Sequence, residues 1–204
     1  PVVLVVHEIF GLTDWVRAVA DQLAADGFLA IAPDLLTMKD VPARGTEPDP
    51  DSARAAIRTL APEDIHRQLL AVAEYGMKLP AAQARYGIVG FCWGGAVAFA
   101  HAARSPSLGA AVVYYGSSPG AEELARVRAP VLGLYGEDDA RVNATIAPAD
   151  SALRARGRTY EHHIFAGAGH GFLRAQDGRA GANLAASRRA WPLTVAWFRR
   201  HLGG

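Results

Sequence analysis

The sequence has 204 residues, half of them hydrophobic, one cysteine and a formal net charge of +1. This size and composition predict one hydrophobic core and a single domain over residues 1–204. The near-zero charge gives no electrostatic reason to expect binding to nucleic acid or to a membrane surface, and no apolar run approaches the roughly 20 residues of a membrane span. A single cysteine excludes an internal disulfide and indicates a cytoplasmic protein. The arginine- and alanine-rich composition is typical of GC-rich bacterial genomes.

Strand-like and helical patterns alternate along the chain. The strand-like runs cover residues 2–6, 28–32, 86–90, 110–115, 131–135 and 160–165. The helical patterns cover residues 14–25, 62–77, 94–103, 145–156 and 182–201. Alternation of this kind predicts an α/β fold with a mostly parallel, doubly wound sheet flanked by helices.

Two segments depart from these patterns. Residues 38–51 are rich in proline, glycine and charge, which predicts a loop with the length of a functional excursion over a site. Pro192 falls inside the last helical pattern and predicts a kink or a restart of that helix.

A nucleophile elbow is predicted where the strand-like run 86–90 meets the next helical pattern. The residues there are Gly90-Phe91-Cys92-Trp93-Gly94-Gly95. A strand that turns sharply into a helix leaves no room for side chains beside the bend, so the glycines allow Cys92 to stand exposed at its tip. A lone cysteine after a strand is more often a small packed hydrophobe, and the flanking glycines favour the nucleophile instead. The positive end of the helix that follows should also favour the thiolate.

An acid and a base follow Cys92 in the order nucleophile, acid, histidine that α/β-hydrolases use. Asp139 lies after run 131–135 in a G-x-x-D-x-x-V pattern, with Asp138 as the alternative. His170 lies in a glycine-rich segment after run 160–165. We expect His170 to take the thiol proton, while the acid sets the tautomer and orientation of the imidazole.

Glu8 follows the first strand-like run. From composition alone, a carboxylate in a loop is most often solvated. Its place beside Ile9 and Phe10, after the apolar run 2–6, favours a carboxylate held at the carboxyl edge of the sheet, where α/β folds build their sites.

No metal site and no other cofactor is expected. The possible ligands Cys92, His101, His162 and His163 show no ligand spacing. The last two lie within a strand pattern and are assigned to the surface or to packing.

At these positions the chain resembles the dienelactone hydrolase family of the α/β-hydrolase superfamily, and the resemblance covers essentially the whole chain. It rests on residues 90–95, residues 136–142, His7-Glu8-Ile9-Phe10-Gly11-Leu12, and Gly169-His170-Gly171-Phe172 with Arg174 beyond. The resemblance implies that Glu8 contacts the resting thiol of Cys92 and swings away when substrate binds, which hands the cysteine to His170. It also implies that the backbone N–H groups of Ile9 and Trp93 form the oxyanion hole.

The resemblance further implies a small-molecule substrate, a cyclic enol ester whose free carboxylate is held by arginines. Arg174 matches one such arginine, and Arg54 is a weaker match for another; a planar guanidinium suits a carboxylate because it can donate two hydrogen bonds to it. For either arginine the alternative is a solvated surface charge. The bulky Trp93 and the absence of an aromatic pair after Arg54 do not point to one particular substrate. General esterases, thioesterases and lactonases therefore remain alternatives.

The resembling family also carries an N-terminal hairpin, whereas this chain opens directly in a strand. One edge of the sheet is therefore expected to be uncovered, and such an edge can pair with another chain. Monomer and homodimer both remain open.

These features together predict a cysteine-dependent hydrolase of small esters or lactones, above all of dienelactone (carboxymethylenebutenolide). Cys92, Asp139 and His170 would act through a thioester intermediate. A thioesterase, acyl transferase or general carboxylesterase of the same fold is one alternative. A non-catalytic thiol sensor or ligand-binding protein is the other, although a sensor does not need the Asp139 and His170 pair.

Overall fold

A computed structural model of the protein describes residues 1–203 and contains a six-stranded, fully parallel sheet with the order β2-β1-β5-β6-β7-β8. The strands are β1 Val2–Val6, β2 Leu29–Ile31, β3 Ala43–Arg44, β4 Glu47–Pro48, β5 Tyr86–Phe91, β6 Leu108–Tyr114, β7 Val131–Asp138 and β8 Tyr160–Gly169. The helices are α1 Asp14–Ala25, α2 Pro50–Ile57, α3 Pro62–Met77, α4 Trp93–Ala102, α5 Ala121–Leu124, α6 Ala140–Asn143, α7 Ile146–Arg154 and α8 Ala182–Leu202. The predicted α/β class and parallel sheet are confirmed.

The hydrophobic core lies on both faces of the sheet. Every residue of β1, β5 and β6 is buried, as expected for parallel strands that helices cover on both sides. Helices α1 and α8 pack on one face, and α3, α4 and α7 pack on the other. No helix within residues 1–203 combines the length and apolarity needed to cross a lipid bilayer.

The sheet order reverses direction between β1 and β5. The chain runs from β1 outward to β2, and then returns to add β5 on the other side of β1. Parallel α/β sheets form a crevice at the carboxyl ends of the strands where this happens. Glu8 follows β1 and Cys92 follows β5, so both lie at this reversal.

The predicted loop over residues 38–51 contains structure that its sequence did not indicate. Strands β3 and β4 form a small hairpin, and α2 already begins at Pro50. Asp49 caps α2 by accepting a hydrogen bond from the Ser52 N–H. The hairpin lies against the start of α1, where a Glu47 carboxylate oxygen accepts the Asp14 N–H at 3.0 Å.

The predicted restart of the last helix at Pro192 is wrong. Helix α8 runs without a break from Ala182 to Leu202. Proline removes one backbone donor, but the buried residues of α8 on both sides of it, from Ala186 to Phe198, pack against the same core. Tertiary packing therefore outweighs the local preference of proline.

Strand β2 forms one edge of the sheet. Its three residues are only half-buried, and β1 is the strand with which it pairs. Within residues 1–203, no further strand covers this edge.

Candidate active site

The turn between β5 and α4 is a sharp strand-to-helix bend with Cys92 at its tip. Cys92 has φ 55° and ψ −117°, a conformation that non-glycine residues rarely adopt. A Cβ at Gly90 would collide with the backbone of Gly94, and a Cβ at Gly94 would collide with the backbone of Val6 and His7. The glycines therefore allow the close approach that the elbow requires.

Cys92, His170 and Asp139 lie in one hydrogen-bonded line, although each follows a different strand. The Nε2 atom of His170 is 3.1 Å from the Sγ atom of Cys92. The Nδ1 atom of His170 is 2.5 Å from Oδ2 of Asp139, and because the carboxylate only accepts, Nδ1–H is the donor. The alternative acid, Asp138, points elsewhere and pairs with Arg179.

His170 holds its proton more tightly than an ordinary histidine. Its contact with Cys92 is the largest cause, Asp139 adds to it, and together they outweigh burial and raise the pKa of His170 to about 9. At neutral pH the imidazole is therefore protonated. This is the charge state that stabilises an adjacent thiolate.

Two backbone N–H groups beside the elbow make no hydrogen bond to any of residues 1–203. They belong to Ile9, in the segment after β1, and to Trp93, the first residue of α4. One follows the nucleophile and the other comes from the loop after a neighbouring strand, which is the arrangement of oxyanion-hole donors in α/β-hydrolases. These two free N–H groups are therefore the predicted donors to a substrate carbonyl oxygen.

The resemblance implied a contact between Glu8 and the resting Cys92 thiol, but no hydrogen bond joins these two side chains. The buried Glu8 carboxylate instead accepts a hydrogen bond from Nε of Arg174 at 2.6 Å. Burial raises the pKa of Glu8, and the positive charge of Arg174 opposes that rise. A buried carboxylate needs a cationic partner, and Arg174 supplies one while Cys92 pairs with His170.

Both candidate substrate arginines lie beside Phe10. The guanidinium carbon of Arg54 is 4.9 Å from the centre of the Phe10 ring, and that of Arg174 is 5.3 Å from it. Their side chains are 44% and 42% exposed, so a dissolved ligand can reach both. Each already has an acidic partner, since Arg54 bonds Asp51 at 2.9 Å.

Tyr115 is a residue of the site that its sequence pattern did not indicate. It directly follows β6, has φ 40°, and its ring centre is 5.2 Å from that of His170. Its hydroxyl is buried without a hydrogen-bond partner in the described chain, and burial, with Glu8 nearby, raises its pKa well above the ordinary value. Its position at the carboxyl end of a strand was the available signal.

His7 is completely buried directly before Glu8, and its sequence motif did not mark it as a separate site residue. A polar residue at the end of an otherwise apolar strand was the signal for it. Elsewhere, residues 1–203 hold no group of three or more His, Cys, Asp or Glu side chains that could bind a metal ion. His163 instead bonds Glu161 at 2.8 Å.

The chain is similar to known proteins in both sequence and fold. The model of the dienelactone hydrolase family matches residues 1–202. A Salmonella typhimurium protein named "Putative carboxymethylenebutenolidase" is 32% identical over 214 residues, which cover 100% of this chain and 78% of the relative. A Bradyrhizobium protein named "Probable 2-oxo-3-(5-oxofuran-2-ylidene)propanoate lactonase" is 30% identical over 221 residues, which cover 100% of this chain and 85% of the relative.

Among solved structures, that of a Klebsiella pneumoniae protein titled "Putative Dienelactone Hydrolase" superposes with a TM-score of 0.84. The two sequences are 32% identical, and the match covers 97% of this chain and 86% of the other. Sequence and fold thus agree over nearly the whole chain. The chain therefore belongs to the dienelactone hydrolase family, whose members are hydrolases of ester or lactone bonds.

Proposed function

We propose that this protein is a cysteine-dependent hydrolase that opens small lactones, or cleaves small esters, that carry a free carboxylate. The observation that carries the proposal is the hydrogen-bonded line of Cys92, His170 and Asp139 at the carboxyl edge of the sheet. A structural cysteine has no need of a histidine at 3.1 Å that is itself oriented by a buried carboxylate.

In the first step, the Cys92 thiolate attacks the carbonyl carbon and a C–S bond forms. The N–H groups of Ile9 and Trp93 donate to the oxyanion that develops on the carbonyl oxygen. The ring C–O bond then breaks, and the enol or alcohol oxygen takes the proton from Nε2 of His170. The product is a thioester on Cys92 and a neutral imidazole.

In the second step, water attacks the thioester. His170 now accepts a proton from the water, the C–O bond forms, and the C–S bond breaks to release the acid and the thiolate. The change of role follows from the charges, because the largest cause of the raised pKa of His170 is its contact with Cys92. A thioester sulfur carries no charge and does not favour the imidazolium, so the imidazole stays neutral in the intermediate and can act as the base.

The two arginines beside Phe10 support the proposal that the substrate carries a carboxylate. A carboxylate of the substrate would compete with Glu8 for Arg174, and Arg54 lies on the same ring. The lactonase name of the Bradyrhizobium relative describes an anionic lactone, which agrees with this charge.

The test compares the hydrolysis of a carboxylated dienelactone with that of a neutral phenyl ester. The variants are Cys92→Ala, Cys92→Ser and Arg174→Ala. Arg154→Ala is the control, since the Arg154 side chain is 79% exposed and pairs with Asp150 on α7. We expect Cys92→Ala to lose orders of magnitude in kcat on both substrates. Arg174→Ala should remove the preference for the lactone, and Arg154→Ala should retain it.

Undiminished turnover by Cys92→Ala would contradict the cysteine mechanism. Equal rates on the lactone and the neutral ester in the wild type would contradict only the role of the arginines in binding a substrate carboxylate. The protein would then be a general esterase with the same cysteine mechanism.

A further inference from the structure

His7 contacts the backbone beside both candidate oxyanion donors. Its side chain is completely buried at the end of β1. The Nδ1 atom lies 2.7 Å from the carbonyl oxygen of Glu8, and the backbone N–H of Leu35 lies 3.3 Å from Nε2.

These two contacts determine the tautomer of His7. A carbonyl oxygen can only accept a hydrogen bond, and a backbone N–H can only donate one. Nδ1 therefore carries the proton and donates to Glu8, while Nε2 accepts from Leu35. Burial lowers the pKa of His7, which keeps the ring neutral and both hydrogen bonds intact.

The bond to Glu8 also determines the direction of the Ile9 N–H. The Glu8 carbonyl and the Ile9 N–H belong to the same peptide group, which is planar and trans. In such a group the C=O and the N–H point in opposite directions, so a carbonyl held towards His7 turns the N–H away from it. The Gly11 N–H donates a second, longer bond to the same carbonyl oxygen at 3.3 Å.

The same ring contacts the residue that supplies the second donor. The imidazole of His7 stacks on the indole of Trp93, with ring centres 5.5 Å apart and an angle of 22° between the planes. The start of α4 also packs on the backbone of His7, since a Cβ at Gly94 would collide with the His7 carbonyl oxygen.

We propose that His7 is the positioning residue of the oxyanion hole, because it orients the Glu8–Ile9 peptide through Nδ1–H and supports Trp93 through its ring face. The proposal rests on the function proposed above. His7 acts through the Ile9 and Trp93 backbone and does not itself touch the substrate.

Two amide side chains separate this role from a merely structural one. Asn at position 7 has its amide nitrogen the same number of bonds from Cα as Nδ1, so His7→Asn can still donate to the Glu8 carbonyl. Gln has its amide group the same number of bonds from Cα as Nε2, so His7→Gln can accept from Leu35 but not donate to Glu8. Each variant loses one buried hydrogen bond, and similar losses in thermal stability are expected for the two.

The first readout is catalytic. Because losing one oxyanion donor outright typically costs about a hundredfold to a thousandfold in kcat, and the Gly11 bond remains, we expect His7→Gln to lose about tenfold or more. His7→Asn should retain most of the wild-type kcat. KM for a carboxylated lactone should change little in either variant.

The second readout is the binding of a trifluoromethyl ketone, which forms an anionic adduct with the Cys92 thiolate. We expect His7→Gln to bind this ketone more weakly, while its affinity for a non-reactive carboxylate inhibitor stays as in the wild type. Equal losses of kcat in the Asn and Gln variants, or an unchanged ketone affinity in His7→Gln, would overturn the proposal.

The third readout needs no turnover. In ¹H–¹⁵N NMR spectra, the Ile9 amide signal should keep one sharp position in His7→Asn and shift or broaden in His7→Gln. An unchanged Ile9 signal in His7→Gln refutes the positioning role whatever the enzyme hydrolyses. Failure of the hydrolase proposal is detected separately, by the activity of Cys92→Ala.

Discussion

At the scale of single residues, the protonation state of His170 beside Cys92 is the property that should control the hydrolysis rate. The pKa of His170 is raised to about 9, chiefly by Cys92 and further by Asp139. The imidazolium is therefore present below about pH 9 and is lost above it. Above that pH, the hydrolysis rate should fall more for substrates whose leaving group needs this proton than for substrates whose leaving group does not.

The first prediction concerns the pH dependence of kcat/KM. For an alkyl ester, whose alkoxide leaves poorly, kcat/KM should be level up to about pH 8 and fall by about tenfold per pH unit above pH 9. For a phenyl ester the fall should be shallower. An NMR titration checks the cause: the His170 imidazole should titrate near pH 9 in the wild type and at lower pH in Cys92→Ala. A titration unchanged by this substitution would contradict the assignment.

The second prediction concerns the buried carboxylate of Glu8. Arg174→Ala leaves this carboxylate without its cationic partner, so we expect the free energy of unfolding to fall by about 1–2 kcal/mol, a value reduced because Arg174 is partly exposed. The double variant Glu8→Gln/Arg174→Ala should recover most of that loss. Denaturant titrations of the four proteins in the cycle measure the coupling, and additive effects would show that the pair is not coupled.

At the scale of elements, the β5–α4 turn holds Cys92 in its unusual conformation. The turn depends on close contact between Gly90 and Gly94, and between Gly94 and the end of β1. The nucleophile and the strand that carries Glu8 are therefore packed directly against each other.

The third prediction tests this packing. Gly90→Ala should lower the free energy of unfolding by about 1–3 kcal/mol. It should also reduce the activity of the folded protein, because the added methyl group displaces the turn that carries Cys92. Gly120→Ala is the matched control: Gly120 has φ −67° and open space around its Cβ position. Its effect on stability should stay within about 0.5 kcal/mol. Equal effects of the two substitutions would contradict the packing argument.

Much of the element order was predictable from the sequence. The five predicted helices and six predicted strands are all present, because their apolar periodicity matches the faces that they bury. The β3–β4 hairpin was not predictable, since two-residue strands are too short to show alternation. The restart of helix α8 predicted at Pro192 is wrong, because packing on the core outweighs the local preference of proline.

At the candidate site, the sequence predicted Cys92, Asp139 and His170 as candidate catalytic residues, because glycines and strand ends mark their positions. The roles of these residues stay predictions. The bond between Glu8 and Arg174 joins residues 166 positions apart, and no local pattern reports such a pairing. The bond from His7 to the Glu8 carbonyl was equally hidden, because residue type alone does not determine it and the side-chain rotamer is also needed.

At the scale of the whole molecule, buried neutral histidines make stability depend on pH. His101 is buried between α3 and β5, with Nδ1 3.0 Å from Nδ1 of His66 and Nε2 2.7 Å from the Tyr86 hydroxyl. Burial, with His66 and Arg104 nearby, lowers the pKa of His101 to about 3. The unfolded chain, with an ordinary histidine pKa of about 6.5, binds a proton that the folded chain excludes.

The fourth prediction follows from this difference. Between about pH 6.5 and pH 3, unfolding takes up one proton at His101, so the free energy of unfolding should fall by up to about 1.4 kcal/mol for each unit that the pH is lowered. His101→Gln should reduce this slope by about that amount. The control is His162→Gln, a half-exposed histidine on β8. Denaturant titrations at several pH values test this, and equal slopes in wild type and His101→Gln would contradict it.

The site gathers its groups from four strands that are distant along the chain. Cys92 and His170 are 78 positions apart, and Glu8 and Arg174 are 166 apart. Contacts between such distant residues form slowly, because the intervening chain must first be ordered. A partly folded chain would hold the cysteine without its histidine, and the carboxylate without its arginine. Regain of activity after dilution from denaturant should therefore coincide with the slowest folding phase, after most helical signal has returned.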